Sequence, residues 1–236
     1  MQKDESMNAG AFAHGSIHVA GIIDAAEADM LIDCGVAFLG FPLVLGFHDE
    51  DLTADAAGDI VARHGHRATF FLITYLSTAD DVVRLCRRIG VSMVQLHGEM
   101  PVTELTKLRR IAPDLRVLKS LIVGLGRREA LVREVKDYAA TVDAFITDTF
   151  DPATGATGAT GKTHDWSISQ QLVALSPKPV ILAGGLTADN VADAVAMVRP
   201  AGVDVHTGIE DASGRKVEEL ARRFVVTAQR AFVAAT

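Results

Sequence analysis

The chain has 236 residues, 49% of them hydrophobic, and a formal net charge of -7. That is enough apolar material for one substantial core, while the acidic balance argues against a general nucleic-acid binder, whose affinity rests on clustered Lys and Arg. No apolar run approaches the ~20 residues needed to cross a bilayer, which argues against a membrane-spanning protein as well.

Residues 1–16, MQKDESMNAGAFAHGS, hold no long apolar segment after their single lysine. They read as a disordered leader rather than a signal peptide, which leaves a cytoplasmic location. From residue 17 onward, short β-branched or apolar runs alternate with stretches of helical period. Residues 17–20 precede a helix at 25–34, and residues 37–41 are followed, after a longer loop, by a helix at 54–64. Residues 68–73 precede a helix that Thr78 can cap, with Val82, Leu85, Cys86 and Ile89 on one face. Next come 93–96 with 102–111, 117–123 with 129–139, and 144–147 with a helix from about 166. The last two units are 180–183 with 187–198, where Val191, Val195 and Val198 repeat at helical spacing, and 203–205 with 217–233. Cys34 and Cys86 are too few for a disulfide framework and read as buried thiols.

About eight strand-then-helix units imply a parallel sheet covered by helices. A doubly wound open sheet is one solution; eight units in this length fit a single (β/α)8 barrel over residues 17–236 better. A barrel carries its active site in the loops after its strands.

Three of those loops are rich in glycine. The sixth contains Gly155-Ala156-Thr157-Gly158-Ala159-Thr160-Gly161-Lys162-Thr163, which invites comparison with an ATPase phosphate loop. That loop needs four residues between its first glycine and the Gly-Lys-Ser/Thr triplet; here five separate Gly155 from Gly161 and two separate Gly158 from it. The seventh strand leads into Gly184-Gly185-Leu186-Thr187 and the eighth into His206-Thr207-Gly208-Ile209-Glu210. Glycines at these rims let backbone N–H groups close on an anion, and the loops after strands seven and eight are a frequent phosphate site in barrels.

Gln95-Leu96-His97-Gly98, Asp148-Thr149, the stretch GATGKTHDW at 158–166, Leu182-Ala183-Gly184-Gly185-Leu186 and GVDVHTGIED at 202–211 resemble the motifs of the phosphoribosylanthranilate isomerase family. The likeness runs from about residue 17 to the C terminus and is densest from Gln95. It implies a barrel enzyme of tryptophan biosynthesis that takes a phosphosugar and uses no metal or cofactor, as a monomer or a homodimer. It also implies that Gly158, Gly161, Lys162, Thr163, Gly184, Gly185, Thr207 and Gly208 hold phosphate. Gln95 and His97 fall in a matching motif and are candidates for substrate contact, with a structural role as the competing reading for His97; His206, at the eighth strand end, is a candidate for touching phosphate or substrate.

The implied reaction is an Amadori rearrangement of an N-linked ribose 5-phosphate. A general acid protonates the ring oxygen and opens the sugar to a Schiff base; a general base removes the C2 proton, and the enol becomes a ketone. Each positioned proton transfer contributes roughly 10²–10⁴-fold. Asp148 matches the family's acid, at the end of an apolar strand where desolvation raises a carboxyl pKa; Asp151 is a nearby competitor. The family's base is a cysteine ending the first strand, and here that run is His18-Val19-Ala20-Gly21. Alanine accepts no proton. His18, two residues earlier on the same strand face and roughly 6.6 Å deeper, is the candidate replacement, with a core histidine as the competing reading. After the second strand, Phe41-Pro42-Leu43-Val44-Leu45-Gly46-Phe47-His48-Asp49-Glu50-Asp51 lacks the arginine that meets the anthranilate carboxylate in the family. Three readings follow: an isomerase with a rebuilt base, an enzyme acting on a related phosphosugar with a different aglycone, and a catalytically silent phosphosugar-binding protein.

Overall fold

A computed structural model describes residues 12–45, 52–124, 126–150 and 160–236. Eight parallel strands close on one another in chain order: β1 (Ser16–Ala20), β2 (Phe38–Pro42), β3 (Thr69–Thr74), β4 (Met93–Leu96), β5 (Arg116–Val123), β6 (Ala144–Thr149), β7 (Val180–Leu182) and β8 (Gly202–Val205). Closure is made by β1 against β8, with Ser16 opposite Gly202 and His18 opposite Asp204. Between them run α1 (Ala25–Asp33), α2 (Ala54–His64), α3 (Ala79–Ile89), α4 (Val102–Ile111), α5 (Arg128–Tyr138), α6 (Trp166–Leu175) and α7 (Val191–Val198), and α8 (Glu218–Ala234) follows β8. This is a (β/α)8 barrel.

Strands buried on both faces explain the unbroken apolar runs of the sequence. Outward residues such as Val19, Leu39, Leu72, Val94 and Val203 join the large core between sheet and helices. Inward residues form two smaller clusters inside the barrel, one around Phe38, Phe71 and Met93 and one around Leu118, Ile146 and Ile181. Phe12, from the segment just before β1, packs against both. Gly15 N–H donates to the Ala201 carbonyl at 2.7 Å, and Ser16 already belongs to β1, so packed structure begins ahead of residue 17.

Helix starts follow their capping residues. The side chains of Asp24, Thr53, Thr78 and Asp165 accept from the backbone N–H groups of Glu27, Ala56, Asp81 and Ser167. Helix α7 starts at Val191 rather than 187 because an asparagine side chain outcompetes the helix there. Asn190 Oδ1 accepts from Thr187 N–H at 2.9 Å, while its Nδ2 donates to the Gly185 carbonyl at 2.9 Å. Cys34 and Cys86 are free and buried, and burial pushes the Cys86 thiol up to about 12. Among the described residues no helix is long and apolar enough to cross a membrane.

Candidate active site

The turns after β6, β7 and β8 lie against one another at the C-terminal rim. Gly185 has φ +63, and a Cβ there would stand 2.3 Å from the Lys162 carbonyl carbon and 2.5 Å from Thr163 N. A Cβ on Gly208 would stand 1.9 Å from the Leu186 carbonyl oxygen, and one on Gly161 3.6 Å from Thr207 Oγ1. At Gly185 and Gly208 only backbone without a side chain permits the approach, whereas at Gly161 it is the φ of +64 that favours glycine. A 3-10 turn at Thr207–Ile209 completes the rim after β8, the position at which barrels commonly close an anion site. Gly161, Lys162, Thr163, Gly184, Gly185, Thr207 and Gly208 are thereby brought together; Gly158 and Asp151 lie outside the described residues. The returning strand of the sixth loop is fastened by His164, whose Nδ1 is 2.9 Å from Thr149 Oγ1 and whose Nε2 is 2.6 Å from Ser169 Oγ. Burial pushes that imidazole down to about 4, so it serves as a neutral link.

Asp148 is the penultimate residue of β6, where apolar Phe145 and Ile146 give way to the rim. Its side chain is 15% exposed. Burial raises its pKa above the ordinary carboxylate value, opposed by the charges of His97 and His206 and by the hydrogen bond from Thr149 N–H, 2.7 Å long. The neighbouring wall supplies a polar relay: Gln95 Nε2 donates to Ser120 Oγ at 3.1 Å, Ser120 Oγ is 3.2 Å from His97 Nδ1, and that nitrogen is 3.9 Å from Asp148 Oδ2. Gln95 and His97 are both buried, with the Tyr75 ring centroid 4.8 Å from that of His97. A carboxyl whose pKa is raised by burial, set beside an imidazole, can donate a proton and then be stabilised as a carboxylate.

The β1 side differs from the expectation. His18 is 0% exposed, with Phe38 and Phe71 ring centroids 5.0 and 5.7 Å away. Two-residue alternation did put it on the inner face, one layer beneath Ala20, but there it is fully buried among aromatic rings. A catalytic base must reach its proton within hydrogen-bond distance, and full burial in the barrel interior favours the core-histidine reading of His18.

His206 occupies the rim instead. Its Nε2 is 2.1 Å from where a Cβ on Gly21 would be, so the ring lies on the backbone next to Ala20. That nitrogen is 3.2 Å from Glu210 Oε1, and the same oxygen accepts from Lys216 Nζ at 2.5 Å. Lys216, 0% exposed at its side chain, also donates to the Gly21 carbonyl at 3.1 Å. A backbone bridge between Glu210 and Lys216 brings the two charges together. Beneath His206 on the same strand, buried Asp204 has a pKa raised well above the usual range by desolvation and by the Asp148 charge. Sequence reading passed over Asp204, Glu210, Lys216 and Ser120. Alternation in Gly202–Val205 puts Asp204 on the His206 face and could have found it; the Glu210–Lys216 pair has no periodic signal.

The profile of the family described as N-(5'phosphoribosyl)anthranilate (PRA) isomerase matches residues 69–227. That span starts at the first residue of β3, so β1 and β2 precede it. An N-(5'-phosphoribosyl)anthranilate isomerase 2 from Methanosarcina mazei is 37% identical over 220 residues, 92% of this chain and 95% of that one. The solved phosphoribosyl anthranilate isomerase of Thermotoga maritima has a TM-score of 0.77 at 23% identity, covering 92% of this chain and 99% of that one. A further structure, with a TM-score of 0.75 at 21% identity and coverage of 92% and 99%, is of a phosphoribosyl anthranilate isomerase in complex with reduced 1-(o-carboxyphenylamino)-1-deoxyribulose 5-phosphate.

Proposed function

The chain belongs to the N-(5'-phosphoribosyl)anthranilate isomerase family, and on that premise we propose that Asp148 is the general acid that opens the substrate's ring. The activity is that of the family, an intramolecular aldose–ketose isomerisation of phosphoribosyl anthranilate in tryptophan biosynthesis. One observation carries the assignment of Asp148: a carboxyl raised by burial stands at the rim, beside an imidazole that favours its ionised form. Ring opening needs a proton delivered to the furanose oxygen as the C1–O bond breaks, and such an acid works best with a pKa drawn toward the working pH. The glycine turns after β6, β7 and β8 hold the 5-phosphate, with Lys162 as the cation of the sixth loop and the 3-10 turn after β8 offering its first amides. Gln95 and His97 line the wall between phosphate and acid.

The test is turnover of phosphoribosyl anthranilate by the purified protein, together with growth of a tryptophan auxotroph lacking this isomerase. Wild type should turn over and restore growth, and Asp148→Asn should bind ribose 5-phosphate normally while losing turnover. Unchanged turnover in that variant removes Asp148 from the chemistry. Tight ribose-phosphate binding without any wild-type turnover would identify a silent binding protein instead.

A further inference from the structure

The isomerisation requires a base for the C2 proton, and residue 20, at the end of β1, is alanine. The register of β1 against β8, His18 to Asp204 and Val19 to Val205, continued one step sets residue 206 beside residue 20. Side chains on adjacent strands at equal height stand about 5 Å apart on the same face. The His206 ring uses that proximity: Nε2, Cδ2 and Cε1 lie 2.1, 2.6 and 2.8 Å from a Cβ built on Gly21. The ring therefore rests on the peptide that follows Ala20, in space that any side chain on residue 21 would fill.

Other ionisable groups on this side are disqualified by position. His18 and the Lys216 side chain have no exposed surface, and Lys216 is held by Glu210 and the Gly21 carbonyl. Asp204 is buried a layer below the rim, and burial pushes its pKa well above the ordinary carboxylate range, toward the form that accepts no proton. His206 is 30% exposed. Glu210 Oε1 at 3.2 Å from Nε2 favours the tautomer with the proton on Nε2, which leaves a lone pair on Nδ1. Among the described residues Nδ1 has no hydrogen-bond partner. The arrangement is a base oriented by a carboxylate, the second half of the general-base pattern.

We propose that His206, oriented by Glu210, is the general base that removes the C2 proton. This rests on the isomerase reading above. The proton passes from C2 to His206 Nδ1; the C–H electron pair becomes the C1–C2 double bond, and the C=N pair returns to nitrogen. C1 then takes a proton from the imidazolium while the enol oxygen gives its own to the Asp148 carboxylate. Acid and base are both restored, and no co-reactant is consumed. Glu210 is a positioning residue, itself fixed by Lys216.

The experiment compares kcat, KM and the pH profile of wild type, His206→Gln, and His206→Gln combined with Ala20→Cys, with ribose 5-phosphate thermal shifts verifying fold and anchor in each. Glutamine keeps an N–H donor for Glu210 and supplies no base. His206→Gln should lower kcat by roughly 10²-fold or more with KM little changed, and the acid limb of the kcat profile should vanish. Adding Ala20→Cys should recover at least about tenfold, with an acid limb moved up toward the thiol range near 8.5. A kcat within about threefold of wild type, or a loss that leaves the acid limb in place, overturns the proposal while the isomerase reading stands. Wild type without turnover sinks both, and that outcome is read before any variant is compared.

Discussion

Replacing Gly185 with alanine isolates what the interlocked rim turns contribute. The residue has φ +63, and its Cβ would meet the Lys162 carbonyl carbon at 2.3 Å, Thr163 N at 2.5 Å and the Lys162 oxygen at 2.6 Å. Non-bonded carbons rest about 3.5 Å apart, so the sixth and seventh loops must separate by about 1 Å. Left-handed backbone adds roughly 1–2 kcal/mol for an L residue, and forced overpacking typically 1–3 kcal/mol. At a combined loss of about 3 kcal/mol, the melting temperature of a domain this size falls by roughly 6–12 °C. Gly126→Ala is the control: its φ is +73, yet a Cβ there meets nothing within 4 Å, so only the backbone strain applies. Function separates the two further. Displacing Lys162 and Thr163 by about 1 Å should raise KM for the phosphosugar roughly 10- to 100-fold in Gly185→Ala and leave Gly126→Ala unchanged. Differential scanning fluorimetry with and without ribose 5-phosphate, with steady-state kinetics, reads both effects. If Gly185→Ala keeps the wild-type ligand-induced shift and a KM within twofold, the phosphate is held elsewhere.

Asp148→Asn should reduce kcat by roughly 10²–10⁴-fold and yet stabilise the protein at neutral pH. The folded-state carboxyl has a raised pKa, so its favourable contribution is present below the unfolded value and lost as pH rises through the folded one. Chemical denaturation from pH 4 to 8 should show the variant gaining on wild type; a constant difference refutes that linkage. Lys216→Met removes one partner of a buried pair and should cost about 3 kcal/mol in urea unfolding, with a change under 0.5 kcal/mol contradicting it. Lys119, held at about 8 by desolvation and donating to the Leu96, Gly98 and Ser120 carbonyls, predicts a rise of up to about 3 kcal/mol in stability between pH 8 and 10.5, since the unfolded chain binds the extra proton there. Lys119→Met should abolish that increment, and parallel profiles for the two proteins would reject it.

All eight strand-and-helix pairs were visible in the sequence because barrel strands, buried on both faces, read as apolar runs, while helices show their spacing. Strand β6 extends past the expected 147 to Thr149 because polar Asp148 interrupts the run just where the strand reaches the rim. The close approach of the rim turns in the candidate site was legible for a similar reason: glycine can be placed from sequence where backbone must pass close to backbone. Depth was not. Alternation assigned His18 to the inner face but carried no information about Phe38 and Phe71 packing against it, 5.0 and 5.7 Å away. Nor could it reveal that His206 lies across Gly21 from the opposite side of the closure, since this contact joins residues 185 positions apart.

The rim turns have a consequence for how this molecule can change. On the proposed assignment, the phosphate end of the substrate is gripped by main chain at the three glycine turns, which point substitution elsewhere does not rewrite, whereas the reacting end meets side chains carried by β1 and β8. An anchor indifferent to its neighbours leaves the opposite rim free to trade one proton acceptor for another without surrendering the ligand. Laboratory selection for new aryl amines should therefore accumulate changes around β1 and β2, and few among the three glycine turns.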